Sequence, residues 1–219
     1  MGSRTCCRCL QRPHTSQSFA ANYFNFRVSS LRSFSGSVLR AAKSIKDPSH
    51  PTGIWYHSLN PSSGQRWAVS LLPEAPSRPE AASILGVLSQ TPGKGFESAQ
   101  PYELAASSAD NFATNAGFVQ LLHKVLKEEI VPSDPTLEFE AKNRESGWAH
   151  ITDSRHALMP GRIATPENIL ASIAFTDSAV HPDSYQANET YRVLTKAEGW
   201  IQLKQEWLQK VRRALLEKN

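Results

Sequence analysis

The chain has 219 residues, a formal net charge of +4 and 40% apolar residues. The positive charge is local, because Arg4, Arg8, Arg12, Arg27 and Arg32 all precede the first acidic residue, Asp47. The 24 basic residues less these five leave 19 against 20 acidic ones, so the overall charge gives no argument for a nucleic-acid partner.

Residues 1–46 are rich in arginine and serine and lack acids, the composition of a mitochondrial presequence. Such a segment can form a basic amphipathic surface that an energised membrane draws inward. Arg32-Ser33-Phe34-Ser35 has the spacing of a matrix-protease site, with cleavage expected after Phe34. Residues 1–34 are therefore expected as presequence, 35–52 as a flexible linker and 53–219 as a single α+β domain. Cys6, Cys7 and Cys9 are the only cysteines. A chain starting at Ser35 has none, which excludes structural disulfides, cysteine nucleophiles and thiolate-held metals. No apolar stretch reaches the ~20 residues of a membrane-spanning helix, so a soluble product is expected. Trp55, Trp67, Trp148, Trp200 and Trp207 favour a folded core over disorder.

Ile54–Leu59 and Arg66–Leu72 alternate as strands around the turn residues Asn60-Pro61-Ser62-Ser63-Gly64, and predict an antiparallel hairpin. Ser83–Leu88 is a short apolar run of the kind buried on both faces. Small residues and prolines over 90–114 predict a loop. Asn115–Ile130 places Phe118, Leu121, Leu122, Val125 and Leu126 on one helical face, and Pro132 ends it. A helical turn is expected near Leu137–Lys142, then a strand over Trp148–Ile151. Thr165-Pro166-Glu167 predicts a capped short helix, followed by a strand over Ala171–Phe175. Thr195 and Glu198 form a capping-box pattern, which predicts a last helix from there to Glu217. The fold expected is α+β: a mainly antiparallel sheet of about five short strands with two longer helices packed on it.

The polar bend at 150–167 gathers the candidate site residues. Arg155 and Arg162 beside a helix start could hold a phosphate or carboxylate, with Asp153 and His156 next to them. The alternative is that the arginines pair with Asp153 or Glu167 and fix the loop. His150, Asp153 and His156 have ligand chemistry, but a strand would put His150 and Asp153 on opposite faces. Gly93-Lys94-Gly95 lacks the spacing of a phosphate loop, and no nucleophile elbow is present.

Gly147-Trp148 through Arg155, then Pro160-Gly161-Arg162-Ile163 through Phe175, then Tyr185 to Thr195 ahead of a terminal helix, resembles a family of uncharacterised fungal mitochondrial proteins. The similarity runs from about Gly53 onward. It implies the mitochondrial address and the single domain, and transfers no catalytic residue. The functional expectation is a non-enzymatic soluble matrix protein, an accessory or assembly factor with a protein partner in a larger mitochondrial complex. The competing readings are a small anion-binding protein or enzyme using the 150–167 bend, and a protein held peripherally at the inner membrane by its C-terminal helix. No catalytic residue, cofactor, metal or specific nucleic acid is expected.

Overall fold

The computed structural model describes residues 43–59, 66–78, 80–90, 100–107, 109–155 and 163–219, which form one compact unit. The expected presequence and its site at Arg32, Phe34 and Ser35 lie outside these residues. A five-stranded sheet runs in chain order through β1 (Ser44–Lys46), β2 (Trp55–Ser58), β3 (Arg66–Ser70), β4 (Ile84–Ser89) and β5 (Phe112–Thr114). Every pairing in it is antiparallel. A second antiparallel sheet holds β6 (Gly147–Thr152), β7 (Ile169–Thr176) and β8 (Ala179–Val180), with β9 (Gln186–Ala187) also on β7. The helices are α1 (Pro101–Ser107), α2 (Ala116–Val125), α3 (Pro135–Arg144) and α4 (Gln205–Leu216). The class is α+β, with two larger sheets and a separate two-stranded ribbon among the described residues where the periodicity suggested one sheet.

The inner faces of both sheets share one core with α2 and α4. Tyr56, Val69, Leu85, Phe118, Leu122, Ile151, Ile173, Phe175, Trp207 and Val211 all belong to it. Burying each such side chain contributes about 1.5–3 kcal/mol. Ala68, Ala81 and Ile84 form a smaller cluster under Leu59, so β3 and β4 are covered on both faces. In β6, Ala149 and Ile151 point inward and Trp148 and His150 outward, as a period of two requires. Lys204 lies 3.7 Å from the Asp134 carboxylate and over the Trp207 ring at 4.6 Å.

Four expectations are corrected. Residues 43–52 are no flexible linker: Ser44–Lys46 is an edge strand, and Asp47 and His50 are buried. Residues 100–114 hold α1, with Pro101 at its first position, and the strand β5. The last helix starts nine residues later than the capping box implied, with Lys204 in place of Thr195 at its N-cap. The Thr195 hydroxyl does accept from the Glu198 N–H at 3.2 Å. The chain then turns through Gly199 at φ +77° and returns as the ribbon β10 (Leu194–Thr195) and β11 (Gly199–Trp200). Near Thr165 the expected helix is a single 3-10 turn, Pro166–Asn168, and the threonine side chain makes no capping bond.

Gly86 lets β5 close onto β4. A Cβ there would meet the Ala113 carbonyl and, at 2.5 Å, the Phe112 ring. Phe112 covers the gap and packs edge-on against Trp200, with centroids 4.8 Å apart. Gly86→Ala is expected to lower stability by at least about 1–3 kcal/mol, the cost of an overpacked core, measured as a shift in the urea midpoint.

Candidate functional site

The bend after β6 is a buried clamp. Asp153 and Arg155 have fully buried side chains, and Arg155 Nε lies 2.8 Å from Asp153 Oδ2. The angle is too bent for a hydrogen bond, so charge attraction carries this contact. The rest of the guanidinium donates to protein carbonyls: Gly199 at 3.0 Å, Arg192 at 2.7 Å and Glu167 at 3.3 Å. The Tyr191 hydroxyl donates to Asp153 Oδ2 at 3.2 Å, and Arg155 Cζ stands 5.6 Å over the Tyr191 ring. Burial pushes the Asp153 carboxyl above the usual carboxylate range, against the pull of the guanidinium. Burial also raises Tyr191, assisted by the Asp153 charge. The clamp ties the end of β6 to the 3-10 turn at 166–168, the 188–193 segment and the β10–β11 ribbon.

Of the four residues proposed for an anion site, Asp153 and Arg155 are brought together and engage each other. His156 and Arg162 lie outside the described residues, as does Gly93-Lys94-Gly95. His150 stands apart on the open face of the second sheet, its Nδ1 2.9 Å from the Ser172 hydroxyl. Among the described residues no group of three or more histidine, cysteine or acidic side chains could hold a metal ion.

Two polar hollows lie beside the ribbon that this clamp supports. One, of about 340 Å³, is lined by Asp47, Ser49, His50, Tyr102, Glu198 and Gln202, among others. On the other flank, one of about 450 Å³ is lined by Asp110, Glu167, Arg192 and Lys196, with Lys196 and Asp110 paired at 2.5 Å. Acid, imidazole and hydroxyl meet in the first hollow, but each is already held. Asp47 Oδ1 accepts from the Ser49 N–H at 2.9 Å and from its hydroxyl at 2.7 Å, and Oδ2 accepts from the Tyr56 hydroxyl at 2.9 Å. The Tyr56 oxygen accepts in turn from Trp200 Nε1 at 2.9 Å. His50 Nε2 donates to the Ile201 carbonyl at 3.1 Å, leaving Nδ1 to accept from Thr52 Oγ1 at 3.3 Å.

Other buried ionisable groups follow the same rule. His57 Nε2 donates to the Leu72 carbonyl at 3.2 Å, so its Nδ1 accepts from the Ser44 hydroxyl at 2.8 Å. Burial holds His50 and His57 below the ordinary imidazole value. A serine nucleophile needs a base that can become a cation, and desolvation opposes that at both rings. Asp134 caps α3 through Thr136 N at 2.8 Å and also accepts from Trp207 Nε1 at 3.1 Å. His123 Nδ1 and the Tyr185 hydroxyl are 2.8 Å apart, with burial lowering the imidazole and raising the phenol.

The first hollow draws on residues 47–51, 102–106 and 194–202, which sequence reading assigned to linker, loop and helix. The available signal was the cluster Asp47-Pro48-Ser49-His50, dense in chemistry for a spacer. The apolar face of α4 is in the core: Trp207, Leu208, Val211 and Leu215 are buried. Among the described residues no helix is long and apolar enough to cross a membrane. No protein-family model, curated protein or solved structure matches the chain.

Proposed function

We propose that the chain is a non-enzymatic protein of the mitochondrial matrix, an accessory or assembly factor of a larger mitochondrial complex. The observation that carries this reading is the engagement of its buried acids and imidazoles. Asp47, His50, His57, Asp134 and Asp153 are each held by hydrogen bonds or an ion pair inside the fold. General acid–base work needs a group that reaches substrate and changes its proton. Here the five buried groups brace the fold instead, as His50 does through the Ile201 carbonyl.

The acid-free, arginine- and serine-rich composition of residues 1–46 supports the address, as does the resemblance to fungal mitochondrial proteins. Two exposed aromatics support a partner. Phe139 on α3 is 69% exposed and Trp148 on β6 is 46% exposed, in consecutive elements. Aromatic side chains supply much of the energy where protein interfaces form.

The test is native size. Tagged protein recovered from the matrix fraction is expected to migrate in an assembly well above the 24.2 kDa of the uncleaved chain. Phe139→Ser with Trp148→Ser is expected to return it to monomer size with an unchanged thermal midpoint. Migration of the wild type as a lone monomer would overturn the reading.

A further inference from the structure

A hollow of about 440 Å³ lies between the start of the first sheet and α4, away from the ribbon. Three side chains that carry donors approach one point of its wall. A Cβ built on Gly53 would stand 3.5 Å from Arg212 Nη2, 3.6 Å from Lys46 Cε and 3.9 Å from Trp55 Nε1. Gly53 has φ +83°, a conformation that favours glycine, and its missing side chain keeps the point open.

Arg212 is aimed by the fold. Its Nε donates to the Leu71 carbonyl at 3.0 Å and Nη2 donates to the Thr52 carbonyl at 2.6 Å. Both acceptors are neutral, and the two Nη1 hydrogens and the second Nη2 hydrogen have no partner among the described residues. That edge of the guanidinium is the fork that takes a carboxylate or phosphate in two parallel hydrogen bonds. Among the described residues no carboxylate lies within ion-pair distance of Arg212 or Lys46, and nothing accepts from the Trp55 indole N–H. Burial lowers the Arg212 pKa, as expected for a partly desolvated cation without a counter-charge.

The remaining wall sets the ligand class. Glu74 lines the hollow but pairs with neither cation, so two cations face one carboxylate and the balance suits a monoanion. Pro51, Leu72, Pro73 and Leu216 complete the lining, and Leu216 is 55% exposed. We infer that this hollow binds a small amphiphilic monoanion, a carboxylate carrying a short apolar chain, with the charged end on Arg212, Lys46 and Trp55 Nε1 and the chain along Leu72 and Leu216. A desolvated, bidentate arginine contact fixes the head group, and the apolar wall rewards the chain at roughly 0.8 kcal/mol per buried CH₂. The inference goes beyond the accessory role and does not depend on it.

The experiment uses the full chain and four probes: octanoate, octanol, inorganic phosphate, and vesicles containing phosphatidylserine. Octanoate is expected to change the tryptophan fluorescence and raise the thermal midpoint, with octanol and phosphate binding at least tenfold more weakly. Lys46→Glu reverses an exposed charge and is expected to weaken octanoate at least tenfold while the unliganded midpoint stays put. Trp55→Phe keeps an aromatic ring, removes the donor, and is expected to weaken it severalfold. No octanoate binding, or equal affinity in Lys46→Glu, would overturn the site. Phosphate binding as tightly as octanoate would overturn the apolar half. Capture by anionic vesicles without octanoate binding would overturn the soluble ligand in favour of a membrane head group.

Discussion

Arg155→Ala is expected to lower the folding free energy by about 3–5 kcal/mol, the range for breaking a buried ion pair from one side. The substitution leaves the Asp153 carboxylate desolvated without its counter-charge, and it strips a donor from the Gly199 and Arg192 carbonyls. Domains of this size are stable by only about 5–15 kcal/mol, so the variant should show a markedly lower urea midpoint. Asp153→Ala is expected to cost a similar amount, because it strands the cation. The double variant should cost less than the sum of the singles, since the two residues share one interaction. It should not return to wild type, because the carbonyls remain unpaired in either case. An anion-binding Arg155 makes the opposite forecast: an unchanged midpoint and a lost ligand. A midpoint within about 0.5 kcal/mol of wild type would remove the clamp as an account of this bend.

The same residues show how far the sequence could be read. The hairpin, α2, β6 and β7 were legible because each carries its own period, which records the buried face, and β4 was legible as a short unbroken apolar run. The pairing of Asp153 with Arg155 was also legible as an alternative, since the partners are two positions apart. The carbonyls of Arg192 and Gly199 were not, because nothing near Arg155 in the sequence specifies them. Thr195 shows a different failure. The hydroxyl-to-N–H bond of a capping box is local, and it forms here in a turn between two strands. The deciding residue is Gly199, which costs about 1 kcal/mol relative to alanine inside a helix but adopts the positive φ that this turn needs. Trp200 and Leu203 are then buried from non-helical backbone ahead of α4. Residues 43–52 failed for lack of reach. Their prolines read as punctuation, while the Ile201 carbonyl that takes His50 lies 151 positions away.

Asp47→Ala therefore tests whether this segment belongs to the fold, and it is expected to cost about 3 kcal/mol. Its carboxylate holds three donors: the Ser49 N–H, the Ser49 hydroxyl and the Tyr56 hydroxyl. Hydrogen bonds to a charged group contribute about 1.5–3 kcal/mol each, and stranding a buried donor costs about 1–3 kcal/mol. These figures do not add, because the Ser49 groups can turn to water once the carboxylate is gone. The Tyr56 hydroxyl cannot, since Tyr56 is fully buried and burial already drives its pKa upward. Tyr56→Phe is expected to cost about 1–3 kcal/mol by the complementary route, leaving Trp200 Nε1–H unpaired in the core. Asp47 and Trp200 touch only through that oxygen, so the double variant Asp47→Ala with Tyr56→Phe should fall short of additivity by about 0.5–3 kcal/mol. Urea titrations of the four proteins measure the cycle. If Asp47→Ala lies within about 0.5 kcal/mol of wild type, the segment behaves as a tether after all, and β1 with its buried acid contributes nothing to holding the ribbon against the first sheet.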